Sequence, residues 1–144
     1  KAFEVNPHHS RTLRAKGMNL LEDGKDFTAA IDAFTRAAEI DPLGEHYGQT
    51  VIFFCHLGNR DWENANQSLD REMRENNHSR YFGFKAVVLA HQGEVEESNE
   101  WLSKYQKERP EIRNIEDYKT VAPSLNEQIK NLLIEGMKIA GLPE

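Results

Sequence analysis

Apolar residues recur along this chain at a helical spacing, with no stretch of strand-like alternation. The clearest case is "FTAAIDAFTRAAEIDP", residues Phe27 to Pro42. Ala30, Phe34, Ala37 and Ala38 stand at i, i+4, i+7 and i+8, which places them on one face of a helix. Ala29, Ile31 and Ala33 widen that face. The small residues let a second helix come close, and Phe34 fills the space between. Pro42 has no N–H and disfavours helix at Asp41, so the helix is expected to stop there. A stripe of this kind needs a neighbour to bury it.

The same order of signals returns further along. "KAFEVNP" closes on Pro7 as "RAAEIDP" closes on Pro42, 35 positions later. "GKDFTAAIDAF" from Gly24 returns loosely as "GNRDWENANQSL" from Gly58 and more tightly as "GEVEESNEWL" from Gly93. Upstream of each glycine lies another helical stretch: Leu13–Glu22, His46–Leu57 and Tyr81–Gln92. Each unit therefore reads as helix, glycine-containing turn, helix, and a closing Pro or Asn.

After Pro110 the repeat lapses. "NIEDYKTVAP" offers an N-cap at Asn114 and a short helix ending before Pro123. In "SLNEQIKNLLIEGMKIAGLPE", Ser124 and Glu127 have the spacing of a capping box. Leu125, Ile129, Leu132, Leu133, Met137 and Ala140 form an apolar stripe. Gly141 suits a left-handed C-terminal residue, with Pro143 following. Lys130, Asn131, Glu135 and Lys138 give the opposite, polar side. This helix is expected to cap the last repeat over Leu102 and Tyr105.

The units resemble the tetratricopeptide repeat (TPR) family, whose period is about 34 residues. In the third unit Phe82, Ala86, Leu89, Gly93, Ser98, Leu102, Tyr105 and Pro110 match the family's packing, turn and stop positions. In the first, Leu13, Gly17, Leu20, Gly24, Ala30, Phe34, Ala37 and Pro42 do so. The second matches at Tyr47, Val51 and Phe54, with a longer run from Gly58 to Ala65. The resemblance implies an all-α, right-handed TPR-like solenoid of about three helix-pair repeats with a C-terminal capping helix, some eight helices in all. Its expected divisions are 1–9 as the end of a preceding repeat, 10–43, 44–78 and 79–112 as repeats, and 113–144 as short helix and cap. The opening residues lead us to expect a piece of a longer protein.

The close of the chain also resembles bacterial TPR regions that follow adenylate or guanylate cyclase domains or winged-helix regulators. The matching residues are Pro110, Asp117, Tyr118, Pro123, Gly136, Met137, Ala140, Gly141, Leu142, Pro143 and Glu144. The implied role is a regulatory, protein-binding module of a signalling protein. A small-molecule sensor and a self-associating structural module, hence a homo-oligomer, are the other readings.

Composition narrows these classes. The net charge of −6 argues against nucleic-acid binding. No apolar run approaches the ~20 residues of a membrane span. The single cysteine, Cys55 within "VIFFCHL", reads as an apolar filler, and a reducing, cytoplasmic setting is expected. The histidines His8, His9, His46, His56, His78 and His91 show no zinc spacing, and no phosphate loop or nucleophile elbow occurs. No enzymatic activity, metal or cofactor is therefore expected. Trp62 and Trp101 read as core or near-core residues.

In TPR proteins the first helices of successive repeats line a ligand-binding concave face. The resemblance thus implies a peptide groove at Arg11, Arg14 and Met18, then Gln49, Ile52 and His56, then Arg80, Phe84, Val87 and His91. Met18, Ile52 and Val87 share one repeat position and would form an apolar floor. Arg11, Arg14 and Arg80 would make one end positive. Met18 and Gln49 stand where the carboxylate-clamp type carries asparagines, so a chaperone tail is not the implied ligand.

Overall fold

The computed structural model describes residues 7–42 and 48–144, apart from the side chains of Pro7, Gly48 and Gln49. Of the expected end of a preceding repeat at residues 1–9, residues 1–6 lie outside the described residues. Eight α-helices and no strand are found among those described: α1 (Pro7–Asp23), α2 (Phe27–Ile40), α3 (Gly48–Gly58), α4 (Trp62–Glu75), α5 (Arg80–His91), α6 (Val95–Glu108), α7 (Ile115–Val121) and α8 (Glu127–Ala140). The chain is all-α and repeat-like: α1 packs on α2, α3 on α4 and α5 on α6, with α2 on α3 and α4 on α5 joining the pairs. No described helix is long and apolar enough to cross a membrane.

Local signals explain most boundaries. Pro7 opens α1, three residues before the expected repeat boundary, where its missing N–H costs nothing. The Asp26 carboxylate accepts the Ala29 N–H at 2.9 Å and starts α2. Asp41 ends α2, its N–H bonded to the Ala37 carbonyl, just before Pro42. Ala30, Ala33, Phe34 and Ala37 are buried as the stripe requires. The Phe34 ring packs where a Cβ on Gly17 of α1 would be, 2.9 Å away.

The middle turn departs from expectation. Gly24 and Gly93 take positive φ, 73° and 84°, and turn the chain as expected. Gly58 instead belongs to the last turn of α3, and Arg60 is the residue with positive φ, 59°. A Cβ on Gly58 would lie 2.6 Å from the Phe27 ring of α2. This glycine is therefore needed for close helix approach, and the turn moves two residues on, which absorbs the longer Gly58–Ala65 spacing. Arg60 bears the strain of a left-handed non-glycine residue.

The start of α8 also differs from the expected Ser124–Glu127 box. Asn126 is the N-cap, its Oδ1 accepting the Ile129 N–H at 3.2 Å. Ser124 Oγ donates to the Ala122 carbonyl instead. Asn126 wins because its Nδ2 also donates to the Glu22 carbonyl at the α1–α2 turn, 3.1 Å away. At the other end Gly141 has φ 115°, and Leu142 N–H reaches the Met137 carbonyl, closing a Schellman-type stop. The Pro143 carbonyl accepts the Ile115 N–H at 2.7 Å, which ties the chain's end to the start of α7.

The core runs through the repeats as a ring cluster. Phe53 and Phe54 of α3 meet Phe84 of α5 with centroids 5.4 and 5.2 Å apart. Cys55 is fully buried beside them, and burial pushes its thiol up to about 12.

Phe34→Ala should destabilise the chain by about 3–5 kcal/mol, read from urea unfolding, because the ring sits at a helix crossing that cannot collapse. A cost below about 0.5 kcal/mol would mean the crossing is not tight. Cys55 should resist thiol reagents at about pH 8 until the chain unfolds. Its raised folded-state pKa contributes stability that is complete below about pH 8.5 and is lost as pH rises towards 12. Over that window the chain should lose stability by about 1.4 kcal/mol per pH unit more than Cys55→Ala does. Parallel curves for the two proteins would contradict this assignment.

Candidate partner-binding face

The ten residues expected to line a groove all come from α1, α3 and α5, the first helix of each pair. The structure brings a further element to them. α8 lies chiefly on α5, with smaller contacts to α3, α6 and α7. It packs on both helices of the last pair, as a cover of that pair would, and reaches beyond them to α3. Tyr105 is also met by Tyr118 of α7, edge to face at 6.3 Å.

Three side-chain arrangements fix α8, two on α5 and one on α6. The bare Cα of Gly136 faces Val87, where a Cβ would come within 2.6 Å of Cγ1 and 3.0 Å of the backbone Cα. His91 Nε2 stands 2.9 Å from the Leu132 carbonyl, so this nitrogen carries the proton and donates. Asn99 Nδ2 on α6 donates to the Ala140 carbonyl at 3.0 Å. With Asn126 on the Glu22 carbonyl, α8 is tied from the first helix pair to the third.

The expected groove is thereby divided. Val87 is wholly buried beneath α8, and Phe84 is buried in the phenylalanine cluster. Neither offers the part-exposed floor that a ligand would need. Met18 and Ile52 remain half-buried, packed against the core with one side still accessible. The Gln49 side chain lies outside the described residues.

The expected positive end is divided too. Arg14 is turned into the α1–α2 packing: its Nη1 donates to Ser10 Oγ at 2.7 Å, and Ser10 donates to the Ala37 carbonyl. Arg11 and Arg80 are exposed, Arg80 donating from Nη2 to the Tyr81 hydroxyl. His56 is half-buried with Nδ1 4.0 Å from Asp61. Burial lowers its pKa, the Asp61 charge raises it, and Arg71 lowers it again, with burial prevailing.

His91 has a second partner. Its ring stacks on Trp62 of α4 with centroids 4.3 Å apart and planes at 7°. Trp62 is thus half-buried by that contact, while Trp101 packs on Phe82 and under the Lys104 ammonium. One imidazole links α4, α5 and α8.

Sequence reading missed several polar anchors. Lys85 is buried within "YFGFKAVVLA" and donates to Asn66 Oδ1 at 2.6 Å and Asp70 Oδ1 at 2.8 Å on α4. A lysine inside a buried apolar run was the available signal, since such a charge needs a partner. The bonds from Asn126 to Glu22 and from Asn99 to Ala140 carried no local signal, because these partners are backbone carbonyls distant in sequence. No set of three or more His, Cys, Asp or Glu side chains converges on a metal position among the described residues.

Fold and face together define an all-α chain of paired helices whose last helix is seated on its own repeat array. No family model, curated protein or solved structure matches it.

Gly136→Ala tests the seat of α8. Alanine in a helix interior is normally favoured over glycine by about 1 kcal/mol. Here the added methyl meets the Val87 backbone, so the variant should lose about 1–3 kcal/mol in urea unfolding. A stabilised variant would show that the two helices are not so closely packed.

Proposed function

We propose that this chain is a TPR-type scaffold that holds a peptide or protein segment on the faces of its first helices. The observation that carries this reading is the seat of α8. An amphipathic helix with one small residue at its crossing point is what the α5 and α3 faces already accommodate within the chain. The same chemistry extends to the part-exposed apolar side chains Met18 and Ile52, with Arg11 as a cation at the surface of α1.

The segment that fits is an amphipathic helix or extended peptide with apolar anchors and some acidic residues. Apolar anchors in such faces supply most of the affinity. Exposed arginines supply orientation and association rate in a chain whose net charge is otherwise −6. The resemblance of the C-terminal segment to TPR regions of bacterial cyclases and winged-helix regulators supports a regulatory role within a larger signalling protein. A catalytic or DNA-binding domain encoded in the same reading frame would bear that out.

The test is a peptide selected from a random library against the 144-residue chain, titrated by calorimetry. Ile52→Asp should weaken binding by well over tenfold while leaving the helical circular dichroism unchanged. Arg11→Gln with Arg80→Gln should weaken it less and flatten its salt dependence. If both proteins bind every selected peptide as the original does, the face is not the binding site and the reading fails.

A further inference from the structure

α1 stands at the start of the stack, and α2 is the one helix on which it makes an extended contact among the described residues. By comparison α3 lies between α2 and α4, and α5 between α4 and α6, with α8 on both. The side of α1 turned away from α2 carries a shallow, open groove lined by Thr12, Ala15, Lys16, Asn19, Leu20 and Asp23. These residues form two rows at i, i+4 spacing: Thr12, Lys16 and Leu20 in one, Ala15, Asn19 and Asp23 in the other. A groove between two such rows is what a ridge of another helix fills. Its walls are open to a partner, since Leu20 is half-buried and the other five are exposed.

The two rows are complementary to themselves. Set an antiparallel copy of α1 across the groove, about a twofold axis between Lys16 and Asn19. Ala15 then faces Leu20 of the second copy, small against large. Lys16 faces Asn19 of the second copy, with its Asp23 one turn further on. Side chains on a helix lean towards its N-terminus, and for Lys16 that direction is towards this Asp23. Within one chain Lys16 and Asp23 stand about 10 Å apart along the axis, and neither has an ion-pair partner among the described residues. Interdigitation of i, i+4 rows is also the packing class in which both helices present the same kind of ridge, as an isologous contact requires.

We propose that this groove seats α1 of a second copy of the chain, in a symmetric antiparallel crossing closed by two reciprocal ion pairs between Lys16 and Asp23. The match of the rows with themselves is what selects a second copy over an unrelated helix. One helix crossing is a small contact, below the ~1,200 Å² of stable interfaces, so the dimer is weak and reversible. The inference is independent of the peptide-binding reading, because Met18 and Arg11 lie more than about 100° round α1 from the middle of the groove.

The test is sedimentation equilibrium of the 144-residue chain from about 10 µM to 1 mM. The average mass should rise from one chain towards two, and added salt should lower it, since the ion pairs are exposed. The contact of Lys16 with Asp23 occurs twice about the axis, so Lys16→Glu alone or Asp23→Lys alone should weaken association about tenfold. The double variant restores opposite charges and should associate within about threefold of the original. Ala15→Gln should weaken association by more than about tenfold, because its added length meets Leu20 of the second copy. All three positions are exposed, so helical circular dichroism should be unchanged in every variant. A mass that stays at one chain at the highest concentration, association indifferent to the single charge reversals, or a double variant as weak as the single ones would each overturn the proposal. None of these outcomes bears on Ile52 or on peptide binding.

Discussion

The contact of Gly136 with Val87 is the constraint on which the rest of the arrangement depends. A helix crossing at this separation admits no side chain on one partner. Once α8 is that close, Ile129, Leu132, Leu133 and Met137 can all be buried. The Leu132 carbonyl then comes within reach of His91, and Ala140 within reach of Asn99. At the other end Asn126 both starts α8 and bonds to the α1–α2 turn. Burial supplies the larger part of the stabilisation. The hydrogen bonds to carbonyls select one position along α5, because a shift by one residue would leave buried polar groups unpaired.

That seat also decides what the repeat faces can do. A stack of helix pairs leaves the face of its first helices without a neighbour, and apolar residues there would stay wet. Here α8 covers part of that face, over α5 and α3, so Val87 becomes core. Met18 and Ile52 keep accessible surface. The distribution of cations follows the same logic. Arg14 is drawn inside by Ser10, and Lys85 by Asn66 and Asp70. Both act in packing between helices, while Arg11 and Arg80 stay exposed.

The C-terminal segment contributes twice. Through α8 it fills a face of the array, and through α7 it sets Tyr118 against Tyr105 of α6. The bond between Ile115 and Pro143 joins these two contributions.

The sequence by itself determined what can be decided within a few residues. The stripe of α2, its stop before Pro42, the positive φ of Gly24 and Gly93, the Asn114 cap of α7 and the left-handed Gly141 are all set by local sterics and hydrogen bonding. So is the all-α class, since the apolar period is helical throughout. Tertiary structure decided the rest. Gly58 looked like a turn residue and became a contact point, because the Phe27 ring from α2 claims the space beside it. Ser124 had the spacing of a cap, but Asn126 took the role because only its side chain also meets Glu22, 104 positions away. Val87 sat at the same repeat position as Met18 and Ile52, and only the arrival of α8 separates it from them. The burial of the Tyr118 hydroxyl, without a partner among the described residues, was illegible for the same reason. A group's burial and its partners depend on elements that are distant in sequence, and local spacing carries no record of them.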